Sequence, residues 1–243
     1  MSKQKLQADQ IAERAYFYFK RVDGVEDLHN VFALRYQVYC KECGFLPAAN
    51  YPDGKETDEY DAHSLHFSAF HHSGTLAGAV RLVRATPEGL FPFHQHCPSL
   101  YAGVELPPAA QAAEISRLVV GKDFRRRLND TLFGFQAQES PTVEVGIVQA
   151  NGQRRTSNHP EIVLGLYREM YQESKRQGIT HWYAAMERSL ARLLMRYKFS
   201  FVPIGPEVDY YGPVTPYLAS LADLEEKVSR CNPELFAWFS SPD

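Results

Sequence analysis

The chain has 243 residues, 44% of them hydrophobic, and a net charge of −3. That length and apolar content suffice for one full core, and the slight acidic balance excludes the basic excess of a general nucleic-acid binder. No run of about 20 apolar residues is present to cross a bilayer, and the polar start MSKQKLQADQIAERA lacks a secretory core, so a cytoplasmic location is expected.

Residues 1–14 read as a polar extension, 15–220 as the folded domain and 221–243 as a helical tail packed on it. The alternating aromatic run AYFYFKRV (15–22) predicts a first strand. Residues 25–44 carry Leu28, Phe32, Leu34, Tyr36 and Tyr39 at helical spread and stop at Gly44, a natural C-cap. The next stretch, to Asp61, holds two prolines, an Asp53-Gly54 turn and many charges, and predicts a long loop of the kind used as a lid. SLHFSAFHH (64–72) and LAGAVRLVRA (76–85) around Ser73-Gly74 predict an antiparallel hairpin.

A Pro/Gly-punctuated connection leads to the strand AAEISRLVV (112–120), and 121–160 is irregular. Pro160 opens a helix with Val163, Leu166, Tyr167, Met170 and Tyr171 on one face, stopped by Gly178. ITHWYAAME (179–187) predicts a strand, and Leu190, Leu193, Leu194 and Tyr197 another helix face. FSFVPIG and VDYYGPV predict short strands, and 221–240 one or two helices over the sheet edge. The order is that of a layered α/β fold.

Cys40 and Cys43 form a lone CxxC with only His94, His96 and Cys97 to complete a ligand set, so reduced thiols and no metal site are expected. Charge inside apolar segments is the stronger signal. Glu114 and Arg117 interrupt a β-branched run, and Arg35 and Arg81 lie in similarly apolar settings near the acidic pair Asp58 and Asp61. An unpaired buried charge costs several kcal/mol, so these groups must pair or be hydrated. In a regular strand residues 114 and 117 point to opposite faces, so the two meet only across a bulge.

LRYQVY (34–39), DEYD (58–61), Arg81-Leu82, EISRLVVGK (114–122) and QGIT (177–180) follow in an order that resembles the acyl-homoserine-lactone (autoinducer) synthases of the GNAT superfamily. YCKECGF (39–45), PDGKETDEYDAHSLHF (52–67), FRRR (124–127), HWYAAMERSLARLL (181–194) and IGPEVDYYG (204–212) are similar to a branch of N-acyl amino acid synthase-like proteins, the PEP-CTERM/exosortase-associated acyltransferases. The likeness spans roughly 15–217. It implies a GNAT-like, mixed but mainly antiparallel central sheet flanked by helices and splayed after strand four. It also implies an enzyme that moves a fatty acyl group from an acyl carrier protein thioester to the amine of an amino acid or similar small acceptor. No tightly bound cofactor is implied; acyl-CoA is the alternative donor, and the lipid product would reach the membrane surface. The autoinducer synthases use S-adenosylmethionine instead, and Phe45 stands where they usually carry Trp; Tyr211 and Val214 stand where the exosortase branch has His and Arg.

Acyl transfer to an amine needs a neutral amine, a thioester beside it and a stabilised oxyanion. Glu114 is the candidate base, with a strut to Arg117 as the structural alternative. Arg35, Asp58, Asp61 and Arg81, with Tyr39 and Phe45 beside the lid, either recognise the acceptor or pair among themselves to close the lid. An oxyanion donor is expected among the backbone amides of Leu118, Val119 and Val120. Lys122, Arg125, Arg126 and Arg127 form the densest basic cluster and suit docking of an acidic carrier, or are a solvated loop. Phe133, Leu164, Tyr183, Met186 and Leu194 either line an acyl slot or belong to the ordinary core. A pocket plugged by Tyr210 or Tyr211 would point instead to a non-catalytic lipid-binding regulator.

Overall fold

The computed structural model describes residues 16–125 and 160–241. Strand β1 (Phe17–Arg21) is followed by helix α1 (Val25–Tyr36), which runs on into a π-helical turn (Gln37–Glu42). After two short 3-10 turns (Ala48–Asn50 and Glu59–His63) come β2 (Ser64–His71), β3 (Leu76–Arg84), the short helix α2 (Pro92–His96) and β4 (Ala112–Val120). Two further 3-10 turns, Ala109–Gln111 before β4 and Lys122–Phe124 after it, complete this half. The second half holds α3 (Pro160–Arg176), β5 (His181–Met186), α4 (Arg188–Arg196), β6 (Val202–Pro203), β7 (Val208–Asp209), β8 (Pro213–Ser220), α5 (Leu221–Cys231) and α6 (Pro233–Ser240).

The strands form an open eight-stranded sheet of order β1-β2-β3-β4-β5-β8-β6, with β7 paired to β8. Only β4 and β5 run parallel, at Ala112↔His181 through Ile115↔Ala184; every other pairing is antiparallel. Past Ile115 and Ala184 β4 and β5 no longer pair, so the sheet splays after its fourth strand as expected.

Alternation along the strands sorts side chains between two faces. Phe67, Val80, Leu82, Ala113, Ile115, Trp182 and Ala184 pack against Ile162, Leu166 and Met170 of α3 in the main core. The helix is seated closely: a Cβ on Gly165 would come within 2.1–2.4 Å of the Phe19 ring. The tail belongs to this core through Leu221, Leu224, Val228, Leu235 and Phe239 rather than covering a sheet edge, and Phe239 lies 4.8 Å from the Tyr171 ring. On the opposite face Ala79 and Val119 meet Val31, Phe32 and Val38, while Ala112 and Tyr183 meet Phe91 and Phe93. The ionic side chains singled out in the sequence lie on this second face.

Two elements escape the sequence pattern. The VDYYGPV stretch continues into an eight-residue strand, β8, whose half-buried positions blur the alternation, and α2 is too short to show helical periodicity.

Candidate active site

β4 supplies the centre. Its pairing with β3 passes from Arg81↔Ser116 to Ala79↔Val119, so β4 holds one residue more than its partner. The extra residue is accommodated at Arg117, whose φ is +52°. A left-handed non-glycine residue costs on the order of 1 kcal/mol. It flips Arg117 onto the face of Glu114 and Ser116, while Ile115 and Leu118 keep their places on the α3 side. A flat strand would have driven the guanidinium into the apolar core.

Arg117 does not pair with Glu114, however, and the expected strut between them is absent. Its Nη2 lies 2.9 Å from Asp58 Oδ2 and 3.2 Å from Glu56 Oε1, and its Nε donates to Glu56 Oε1 at 3.2 Å. Glu56 is fully buried and also accepts from Arg35 Nε at 2.5 Å. Arg35 forks onto Asp61 at 2.7 and 3.2 Å. Arg81 Nη1 joins Asp58 to Asp61, the latter at 2.8 Å, and its Nε donates to Ser116 Oγ at 3.0 Å. Three arginines and three carboxylates thus bond one another and tie the 53–61 loop to α1, β3 and β4. Burial opposes ionisation of Asp58 and Asp61, but the hydrogen bonds and charges of Arg81 and Arg35 outweigh it and hold both below the ordinary aspartate value. Of the two readings offered for Arg35, Asp58, Asp61 and Arg81, mutual pairing is the geometry found. Glu56 was not singled out in the sequence; the only signal for it was membership in the same charged block.

Glu114 stands apart from this network. It is 1% exposed, and among the described residues its Oε2 accepts the backbone N–H of Phe93, at 2.9 Å. Pro92 opens α2, and the Phe91 and Phe93 rings pack 5.2 and 4.5 Å from Tyr183, which directs that N–H at the carboxylate. Desolvation dominates over the single hydrogen bond and the more distant Arg81 and Arg117, and pushes the Glu114 carboxyl up to about 8. At Ile115, one residue on, β4 makes its last pairing with β5.

Aromatic rings roof the site. Arg117 lies 5.4 Å from the rings of both Tyr39 and Tyr211, and Phe45 is 6.0 Å from Tyr39. Tyr210 stacks on His96 with centroids 3.7 Å apart, and its hydroxyl is 3.4 Å from Arg117 Nη1. The hairpin tyrosines therefore cover Arg117.

The remaining candidates are dispersed. Leu164 of α3, Met186 and Leu194 are buried in the main core, whereas Tyr183 shares the Glu114 face. Phe133, Arg126 and Arg127 lie outside the described residues. Lys122 is exposed, whereas Arg125 folds back onto the Val120 carbonyl at 2.9 Å and onto Glu42 at 2.5 Å. Cys40 and Cys97 are buried and Cys231 is exposed.

Residues 34–134 match the acetyltransferase (GNAT) domain family. Comparison with curated protein sequences gives no match. Among solved structures the chain is similar to BjaI, a CoA-dependent acyl-homoserine lactone synthase, with a TM-score of 0.60 and 16% identity over 93% of this chain and 91% of that one. It is also similar to TofI in a ternary complex with an inhibitor and MTA (TM-score 0.58, 16% identity, 89% and 100% covered). A third likeness is to FeeM, an N-acyl amino acid synthase from uncultured soil microbes (TM-score 0.52, 12% identity, 87% and 94% covered). These likenesses show that the fold is GNAT-like, and the domain match supports an acyltransferase.

Proposed function

We propose that this chain is an N-acyltransferase that moves a fatty acyl group from a carrier-protein thioester to the amine of an amino acid or similar small acceptor. The observation that carries the proposal is Glu114, a buried carboxylate with a raised pKa beside the point where β4 and β5 part. An acceptor ammonium gives its proton to Glu114, and the neutral amine attacks the thioester carbonyl. The C–N bond forms, the C–S bond breaks, and the thiol leaves with a proton. A base that titrates at about 8 is matched to an amine near neutral pH, because neither proton donor nor acceptor is far out of balance.

The oxyanion donor is assigned to the stretch 118–120, where Leu118 and Val120 both turn away from β3. Polar groups of successive residues alternate sides in an antiparallel ladder. Gly121 gives its N–H to Ala77 on β3 at 2.8 Å, so the Val120 N–H and carbonyl face away from β3, into the gap.

Donor choice rests on charge. With Arg125 turned inward, a further basic surface among the described residues lies on α4, which starts two residues after β5. Arg188, Arg192 and Arg196 are exposed there at i, i+4 and i+8, with Glu207 3.6 Å from Arg188. An acidic carrier protein suits that stripe. Within this reading the chain's motifs resemble the exosortase-associated branch.

A second reading, an acyl-homoserine-lactone synthase, draws on the same acidic loop and arginine set and predicts methylthioadenosine release from S-adenosylmethionine. The roof of Tyr210 and Tyr211 favours a third, the non-catalytic regulator. Mass spectrometry of lipid extracts from bacteria expressing the chain separates them, with Glu114→Ala as control. New acyl amines that vanish in the control are expected. Acyl-homoserine lactones would move the assignment to the second reading, and no new species from folded protein to the third.

A further inference from the structure

We infer that Arg125 and Glu42 form a latch across the donor slot, with the Arg125 side chain standing in for the thioester arm until the arm displaces it. This inference rests on the acyltransferase reading above and concerns its donor side. Beyond Ile115 the β4 edge that faces β5 has no strand partner among the described residues, and the carbonyl of Val120 lies on that edge. An unpaired, buried strand edge is a place where an extended chain bearing amide groups adds as a strand would. A fully buried carbonyl without a donor is costly, so some group must serve it in the empty protein.

Arg125 Nε serves it, at 2.9 Å. The guanidinium does not reach out to solvent from there: its Nη2 lies 2.5 Å from Glu42 Oε2 on the π-helical turn that follows α1, and the two side chains are only 19% and 16% exposed. Gln37 donates a further bond to Glu42 at 3.3 Å, which steadies the carboxylate. The link therefore joins the free end of β4 to the element that carries Tyr39. Arg125, one of the four basic residues that the sequence offered for carrier docking, is held in this internal pair.

An arm that needs the Val120 carbonyl must first lift Arg125, and lifting it breaks a half-buried ion pair. If the latch is closed about 90% of the time, the apparent donor Kd is about tenfold weaker than that of the open slot. Glu42→Gln, which keeps the shape but removes the charge holding Arg125, is expected to tighten binding of an octanoyl-pantetheine thioester about fivefold or more, and Arg125→Ala to do the same. Calorimetry of the three proteins with that probe reads it. A weaker Kd in both variants would make Arg125 a direct donor ligand and overturn the latch; an unchanged Kd would overturn it as well.

Amide hydrogen exchange supplies a readout that needs no donor. Faster exchange over residues 118–125 in Glu42→Gln than in the wild type is expected, and equal exchange refutes the latch even if the protein transfers no acyl group. Failure of the acyltransferase reading shows separately, as a wild type that neither binds the probe nor makes an acyl amine.

Discussion

Replacing Glu114 by Gln tests whether its burial, rather than a partner, sets its chemistry. Glutamate ordinarily titrates at 4.5, and here desolvation carries it to about 8. Below pH 4.5 the carboxyl is protonated folded or unfolded, and burial costs nothing through ionisation. Between 4.5 and about 8 the unfolded chain releases the proton while the folded protein keeps it, so stability falls as pH rises. Above about 8 the loss is complete. A span of about 3.5 pH units at 1.36 kcal/mol each amounts to roughly 5 kcal/mol, an order-of-magnitude figure that needs little discount for solvent at 1% exposure. Gln keeps an oxygen to accept the Phe93 N–H and has no proton to lose. Urea unfolding of both proteins from pH 4.5 to 9 should therefore show Glu114→Gln gaining on the wild type steadily, to a plateau of several kcal/mol above pH 8, while losing acyl transfer. Wild-type transfer should rise with pH through about 8. A stability difference that stays flat across the range would refute the desolvation argument and leave Glu114 an ordinary, paired carboxylate.

Three further outcomes are expected. Arg117→Ala removes the partner of Glu56 and Asp58 and leaves buried charge uncompensated, which should cost about 3–5 kcal/mol in urea unfolding. Gly165→Ala puts a methyl into the Phe19 ring, and because β1 cannot shift without unpairing from β2 it should cost about 1–3 kcal/mol and lower the melting temperature with no direct effect on the site. Reversing the α4 charges with Arg188→Glu, Arg192→Glu and Arg196→Glu should raise KM for acyl carrier protein thioesters by an order of magnitude or more at low salt, leave that for acyl-CoA within about twofold, and lose its effect as ionic strength rises.

Most elements were legible in the sequence because their signals are local. The Pro160 start and Gly178 stop of α3, the Ser73-Gly74 turn between β2 and β3, and the β-branched run of β4 each specify backbone geometry within a few residues. The same run showed that Glu114 and Arg117 had to be accommodated, and that only a bulge could bring both to one face.

Which partners they take is a different kind of question. Glu56, Asp58 and Asp61 are near neighbours in the chain, and nothing local distinguishes the one that ends fully buried between Arg35 and Arg117 from those that bind Arg81. Arg125 reads as surface charge until Glu42, 83 residues away, is seen beside it. The Phe93 N–H reaches Glu114 only because Tyr183 holds the α2 rings in place. The sequence by itself determined the periodicity of each segment and the need to neutralise its buried charges. Only the tertiary structure decided the pairing, because Coulomb and hydrogen-bond energies depend on distances of a few ångströms between groups far apart in the chain, and no local pattern encodes those distances.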